Sequence, residues 1–359
     1  MNLAGAPWIT YYARALGASV GRDVDLHTIP PITGMLTLGS GCAIEPEVDL
    51  SGYWLDGDTL RIGPVRVAAG ARVASRSTLG PGAEVGRDAV VDAGSWVDGR
   101  VPAGERWSGA PAARARVAER AWPDHRPKPS HRWVVAFGVA STVFSTLPLV
   151  AAVPGLLVIG WWVRDAGSFT SAATDALLAV PLATLAWLLA YALLTAVLVR
   201  ALGIGLRAGD HPVRSRIGWQ VWATERLMDA ARTLLFPIYS SLATPSWLRL
   251  LGAKVGRGVE ASTVLALPKM TTVNDGAFLA DDTMVASYEL CGGWLRIEPT
   301  RIGKRAFLGN SGMAGPGRSV PKNGLVAVLS STPSSAKKGS RGWVAHRCDC
   351  AAHRAGANR

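Results

Sequence analysis

The chain has 359 residues, 49% of them hydrophobic, which is enough for two sizeable cores. Its formal net charge of +12 admits a nucleic-acid binder, but much of that charge flanks the apolar middle of the chain; this favours a membrane topology and sets nucleic acid aside as a partner. Cys42, Cys291, Cys348 and Cys350 follow no disulfide spacing and no secretory signal opens the chain, so the soluble parts read as cytoplasmic and reduced.

The first predicted element is a repeat. Every sixth residue from Val20 is aliphatic: Val20, Leu26, Ile32, Leu38, Ile44, Leu50 and, past Asp56, Ile62. The step then slips to five and resumes at six through Val67, Val73, Leu79, Val85, Val91 and Val97. A period of six fits a triangular β-helix, in which each six-residue side sends one aliphatic side chain into the shaft. Asp56 breaks the register, and a buried unpaired carboxylate is costly, so 51–60 (SGYWLDGDTL) is expected to leave the shaft as a loop. Forty glycines suit the repeated corners of such a fold.

The middle of the chain is apolar. Residues 133–163 and 176–199 carry no charge and exceed the roughly 20 residues that cross a bilayer core. The short link between them holds Arg164, Asp165 and Asp175. The outer flanks are basic, with Arg114, Arg116, Arg120, Arg126, Lys128 and Arg132 before and Arg200, Arg207, Arg214 and Arg216 after. The positive-inside rule then places both flanks in the cytoplasm. A buried helical hairpin in a soluble protein is the competing reading. Residues 216–235 read as an amphipathic helix, with Ile217, Val221, Met228 and Leu235 on one face and Arg216, Glu225, Arg226 and Arg232 on the polar side. It either lies along the membrane surface or packs on the module that follows.

The repeat then returns from Val255 through Ala261, Leu267, Val273, Leu279, Val285, Cys291 and Ile297, slips to five, and continues through Ile302, Leu308, Ala314, Val320 and Val326. The two series superpose at a constant offset of 235, with identities that include Tyr53/Tyr288, Leu55/Leu290 and Leu60-Arg61-Ile62/Leu295-Arg296-Ile297. The predicted fold is mainly β with membrane α: two left-handed parallel β-helix modules flanking a two-helix transmembrane hairpin. The pattern gives a first module at 1–117, a basic linker at 118–132, the hairpin at 133–207, a helical connector at 208–247, the second module at 248–335 and an aperiodic tail at 336–359. That tail reads as a truncated or frame-shifted end.

Two resemblances follow from these segments. Residues 44–111 resemble hexapeptide-repeat acyltransferases of the maltose/galactoside acetyltransferase type, through IEPEVDL, the excursion loop, IGPVRVAAGARVASRSTLGPGAEVG and the turn WSGAPAAR. The resemblance implies that Trp107, Gly109, Pro111 and Ala112 bind the pantetheine arm of coenzyme A. The family's catalytic histidine has no counterpart in SGYWLDGD, where Tyr53 or Trp54 stands instead. To about residue 340 the chain resembles the membrane-embedded terminal region of ε-poly-lysine synthetase-type nonribosomal peptide synthetases. LHTIPPITGMLTLG, IEPEVDLSGYWLDGD, DGAFLADDTMVASYELCGGW and IGKRAFLGNSGMAGPGRSVP carry that likeness. It implies aminoacyl transfer from a pantetheine thioester, on a carrier protein or on coenzyme A, to an amino acid or short peptide. No tightly bound cofactor is implied. This sequence holds two such modules and neither an adenylation nor a carrier domain.

The candidate catalytic residues are His27, Asp49 and Tyr53. His27 follows the shaft position Leu26, is expected to point outward, and can deprotonate an ammonium as a general base. Glu45, Glu47 and Asp49 alternate, so an extended strand would put all three on one face. With Asp56, Asp58, Asp281, Asp282 and Glu289 they suit recognition of a cationic amino acid. Tyr288 joins Tyr53 as a cleft residue, and Asn310 offers an amide near the thioester. No His/Cys spacing accompanies the acids, so no metal site is expected. A coenzyme-A-dependent acetyltransferase and a non-catalytic membrane scaffold remain as alternatives.

Overall fold

Short strands recur at the aliphatic register in the computed structural model, which describes residues 4–115, 121–128 and 130–332. In the first module Ser19 pairs in parallel with Thr37, and Asp25 with Ala43, so one coil of three six-residue sides separates partners. The strands stack into three parallel sheets. One holds Ser19–Val20, Leu36–Leu38, Val65–Val67, Glu84–Val85 and Arg100–Val101. A second runs Asp25–Leu26, Ala43–Ile44, Arg72–Val73, Val90–Val91 and Arg106–Ser108, and the antiparallel Ala113–Arg114 ends it. Thr78–Leu79 and Trp96–Val97 form the third. Leu26, Leu38, Ile44, Leu50, Val67, Val73, Leu79, Val85, Val91 and Val97 fill the shaft. Ile32 does not: it follows Pro30-Pro31 and is exposed, because two prolines remove the donors a ladder needs. Asp56 leaves the shaft in a hairpin of Tyr53–Asp56 and Thr59–Ile62, hereafter the first hairpin. The coils stack so closely that a Cβ on Gly39 would lie 2.3 Å from the Ala69 nitrogen.

The second module repeats this plan at the same offset. Its sheets are Lys254–Val255, Thr271–Val273, Thr300–Ile302 and Ser319–Val320; Glu260–Ala261, Phe278–Leu279, Phe307–Leu308 and Leu325–Val326; and Leu265–Ala266, Met284–Val285 and Met313–Ala314. The second hairpin, Glu289–Cys291 with Trp294–Ile297, gains a third strand from Gly209–Pro212. Helix α1 (Ile9–Ala15) precedes the coils of the first module.

Helices α2 (His131–Val163) and α3 (Phe169–Leu202) pack on each other, and both are long and apolar enough to cross a membrane. Trp187 Nε1 donates to the Pro148 carbonyl between them, and Gly155 lets α2 approach Ala183. Their outer faces, including Leu149, Leu157, Leu177 and Leu193, are exposed.

Helix α4 (Arg216–Leu234) corrects the amphipathic reading. Glu225 and Arg226, expected on its polar side, are buried along with Val221, Trp222, Leu227 and Met228. Trp222 lies against Phe137 and Phe144 of α2 and donates from its indole to the Ala4 carbonyl. The helix is therefore a wedge between the long helices and both modules. A short α5 (Phe236–Tyr239) leads to α6 (Thr244–Leu251), the counterpart of α1, which ends at Gly252 with φ +106°. The predicted tail at 336–359 lies outside the described residues, as do residues 116–120 of the linker region.

Candidate functional site

The two modules pack against each other, and a cavity of about 380 Å³ lies at their junction. The first module contributes Glu45, Arg72, Ser75, Asp92, Arg106 and Ser108. The second contributes Tyr288, Glu289, Arg296, Glu298 and Arg318. Arg72, Val90 and Arg106 stand on successive coils of one sheet, so the solenoid itself sets their spacing. The opposing residues come from the second hairpin and the coil that follows it.

Glu45 sits at the centre of the junction. Its carboxylate accepts from Ser75 N at 2.9 Å and Ser75 Oγ at 3.0 Å on one oxygen, and from Leu290 N at 2.9 Å on the other. Arg72 Nε donates to the Leu290 carbonyl at 2.8 Å. One backbone residue of the second module is thus clamped by an acid and a base of the first. Burial raises the Glu45 pKa to about 7; the Glu289 charge adds to the rise and Arg72 opposes it. Around it, Arg106 pairs with Asp92 at 2.6 Å, Arg318 with Glu289 at 3.0 Å, and Arg296 with Asp210 at 2.6 Å.

A second buried chain runs through the same junction. The Tyr288 hydroxyl donates to Glu225 Oε2 at 2.7 Å, and His27 Nδ1 lies 2.6 Å from that hydroxyl. With the phenol proton directed at Glu225, Nδ1–H of a neutral His27 donates to the phenol oxygen. Arg226 closes the chain on the other carboxylate oxygen at 2.9 Å. Burial, then the nearby Arg226 charge, lowers the His27 pKa to about 3. Burial also holds Tyr288 protonated, well above its ordinary range, and raises Glu225 against the opposing Arg226 charge. His27 therefore points inward, into the junction, and not outward as expected: Gly5 and the Trp222 ring close over its side.

The other candidate residues are dispersed. Glu45, Glu47 and Asp49 do not share a face, because Glu47 adopts φ +58° in a turn; Glu45 is buried while Glu47 and Asp49 are exposed. Glu47 pairs with Arg76 and Arg232, and Asp282 pairs with the same two arginines, so both acids belong to a network that ties the modules to α4. Asp49 accepts from Ser51 N, and Asp281 accepts from Ser262 and Thr263, which lowers its pKa. Tyr53, Asp56 and Asp58 lie on the exposed first hairpin, where Asp56 pairs with Arg61. Asn310 is exposed at a coil corner. Trp107 and Ala112 pack on the end of the first shaft, and Gly109 (φ +100°) and Pro111 turn the chain beside them, next to Ser108 on the cavity wall.

Of the expected site residues, Glu45, Tyr288 and Glu289 line the cavity. Arg72, Ser75, Asp92, Arg106, Arg296, Glu298 and Arg318 were not anticipated. The signal for the first four lay in the repeat: they occupy outward positions on adjacent coils. Glu225 on α4 carried no such signal, since its helix period made it solvent-facing.

The linker also contributes. Trp122 lies 4.9 Å from the Arg72 guanidinium and 3.9 Å from that of Arg296, while Trp294 Nε1 donates to the His125 carbonyl at 2.7 Å. Residues 121–126 therefore strap the two modules together.

Over 350 residues the chain is 28% identical to the delta-poly-L-ornithine synthetase of Acinetobacter baumannii (strain AB307-0294), which covers 93% of this chain and 26% of that protein. The chain is similar to one region of a poly(amino acid) synthetase. It spans about a quarter of the length of that relative. No family model matches the chain. Among solved structures, a maltose O-acetyltransferase from Clostridium difficile 630 is 18% identical over 29% of this chain and 60% of its own, with a TM-score of 0.25. A hexapeptide-repeat acetyltransferase from Vibrio cholerae O1 biovar eltor, complexed with acetyl coenzyme A, is 18% identical over 31% of this chain and 76% of its own, with a TM-score of 0.26.

Proposed function

We propose that the chain is a membrane-associated aminoacyl transferase, forming a peptide bond between a pantetheine thioester and the amine of a free amino acid or short peptide. The observation that carries the reading is Glu45, a buried carboxyl with a pKa near neutrality in a cavity lined by both acids and guanidinium groups. A carboxylate offers about four lone-pair sites, and Glu45 spends three on protein donors, which leaves one for an incoming amine. With its pKa near 7, Glu45 takes the ammonium proton at neutral pH, as a general base should. The neutral nitrogen attacks the thioester carbon, the C–N bond forms, the C–S bond breaks, the nitrogen's second proton passes to the leaving thiolate, and Glu45 returns the first proton to solvent. The arginines on both walls suit the amino-acid carboxylate, and Glu289 and Glu298 suit a cationic side chain.

The likeness to a delta-poly-L-ornithine synthetase points to ornithine as the first substrate to try. The acyl donor arrives on a carrier protein or as coenzyme A. In this reading the modules are left-handed β-helices, α2 and α3 cross the cytoplasmic membrane, and both modules face the cytoplasm. The basic flanks and the exposed apolar faces of both helices support that placement.

The test offers detergent-purified protein ornithyl-pantetheine thioester with free ornithine and, separately, acetyl coenzyme A with ornithine. Dipeptide detected by mass spectrometry, and lost in Glu45→Gln, supports the proposal. Acetylornithine without dipeptide turns it into an acetyltransferase. Neither product leaves a scaffold and overturns both.

A further inference from the structure

A second cavity, of about 630 Å³, shares no lining residue with the one at the junction. Its walls come from the end of α3 with Arg200, the turn that follows it, Thr224 of α4, the end of α6 and the coil corner of the second module that carries Lys269. The two cavities differ in charge. Acids and guanidinium groups line the junction together, whereas Arg200 and Lys269 are the charged groups on this wall and no carboxylate joins them among the described residues. Arg216 stands beside the same turn: a Cβ on Gly205 would lie 3.5 Å from its Nη2, and one on Gly203 would lie 3.9 Å from Lys269 Cβ. All three cations are exposed, and none forms an ion pair among the described residues.

These cations do not cap α3. The open carbonyls at a helix end attract positive charge, but here protein donors satisfy them. Gly203 N donates to the Val199 and Arg200 carbonyls, Ile204 N to that of Ala201, and Gln220 Nε2 to those of Leu202 and Ile204. Arg200 reaches the Leu250 and Arg249 carbonyls at 2.7 and 3.1 Å, which ties the end of α6 to α3. The charge of Lys269 and Arg216 therefore has no internal use among the described residues.

Position says what answers that charge. Arg200 is the first charge after the uncharged run 176–199, so the cavity opens where α3 leaves the bilayer core. The surroundings are apolar and open, with Val197, Ile204 and Leu250 at 57%, 68% and 52% exposure. A ligand with an anionic head and an apolar tail satisfies both features, and basic pockets at the cytoplasmic ends of membrane helices take lipid head groups. A zwitterionic head would bring its own cation toward three others.

We propose that this cavity binds the head group of an anionic phospholipid, its phosphate among Arg200, Arg216 and Lys269 and its acyl chains along Val197 and Ile204. The inference rests on α2 and α3 crossing the membrane. Because α3, α6 and the second module share the walls, a seated head group fastens that module to the bilayer surface.

The test follows the melting of the full chain, purified in neutral detergent, as phosphatidylglycerol or phosphatidylcholine is added in mixed micelles. Phosphatidylglycerol should raise the melting temperature by on the order of 5 °C at saturation, and phosphatidylcholine should not. Lys269→Glu and Arg216→Glu should each weaken the apparent affinity about tenfold. Both should fold, since the side chains are exposed and a glutamate suits the first turn of α4. Lys322→Glu, the same reversal at an exposed site elsewhere on the second module, should change nothing. Equal stabilisation by the two lipids overturns the proposal. So does an equal loss in Lys322→Glu, which means a diffuse surface field, or equal stabilisation by glycerol phosphate, which means a site for a free anion. A chain that stays in solution without detergent refutes the membrane crossing and this inference with it; one that needs detergent yet ignores the lipid charge refutes this inference alone.

Discussion

Tyr288→Phe removes one oxygen atom from the junction and tests whether the buried chain holds the modules together. His27 Nδ1 loses its acceptor and Glu225 Oε2 loses its donor, both in buried positions. An orphaned neutral donor costs about 1–3 kcal/mol and a lost bond to a charged acceptor about 1.5–3 kcal/mol. The ring itself stays, so no cavity forms, and the expected loss is about 3–5 kcal/mol. For a chain of this size that lowers the melting temperature on the order of 5–10 °C. The loss should be larger at high pH than at low pH, because the Tyr288 hydrogen bond favours the charged form of Glu225 and its removal leaves that charge buried. The measurement is intrinsic tryptophan fluorescence during heating of detergent-purified protein at both pH values. A shift below about 2 °C at both would refute the reasoning, since it would mean that the chain of hydrogen bonds contributes nothing net.

Other predictions follow from the same geometry. The rate of peptide formation should rise with pH through about 7, as Glu45 loses its proton, and Glu45→Gln should lower it about 10²–10⁴-fold and flatten the profile. His27 has its pKa lowered from 6.5 to about 3, so its unfolded form binds a proton that the folded form refuses; stability is full above pH 6.5 and falls as the pH drops toward 3. That window is worth on the order of 5 kcal/mol, and a melting series against pH should lose this acid limb in His27→Gln. In Gly218→Ala the new Cβ would lie 2.1 Å from the Val213 carbonyl oxygen, so α4 cannot seat; the melting temperature should drop by on the order of 5 °C or more, and an unchanged value would count against α4 as a wedge.

The coils were legible because one rule, an aliphatic residue every six, acts locally and repeats. Ile32 shows its limit: the period continues through it, but the proline pair before it takes the backbone out of the coil. The duplication was legible too, down to the five-residue slip. The fate of the duplicates was not. Tyr53 and Tyr288 occupy one position in the repeat, yet one is exposed and the other is buried between His27 and Glu225. That difference comes from what packs on each hairpin, which no local pattern encodes. The alternation of Glu45, Glu47 and Asp49 misled for a related reason: it presumes extended backbone, and a left-handed residue at Glu47 turns the chain there. Helix α4 was read as half-solvated because Glu225 and Arg226 are charged; burial is tolerated because they neutralise each other at 2.9 Å.

The clamp on Leu290 has a kinetic meaning. Its two hydrogen bonds, and the Trp122 strap beside them, fix the width of the cleft, so the walls cannot part without breaking both bonds to Leu290. A hinge at this junction would be slow and costly. Under the proposed aminoacyl transfer, substrates would enter along the open side of a fixed slot, and turnover would be set by how fast the donor arm slides in and out, with no opening and closing of the modules in between.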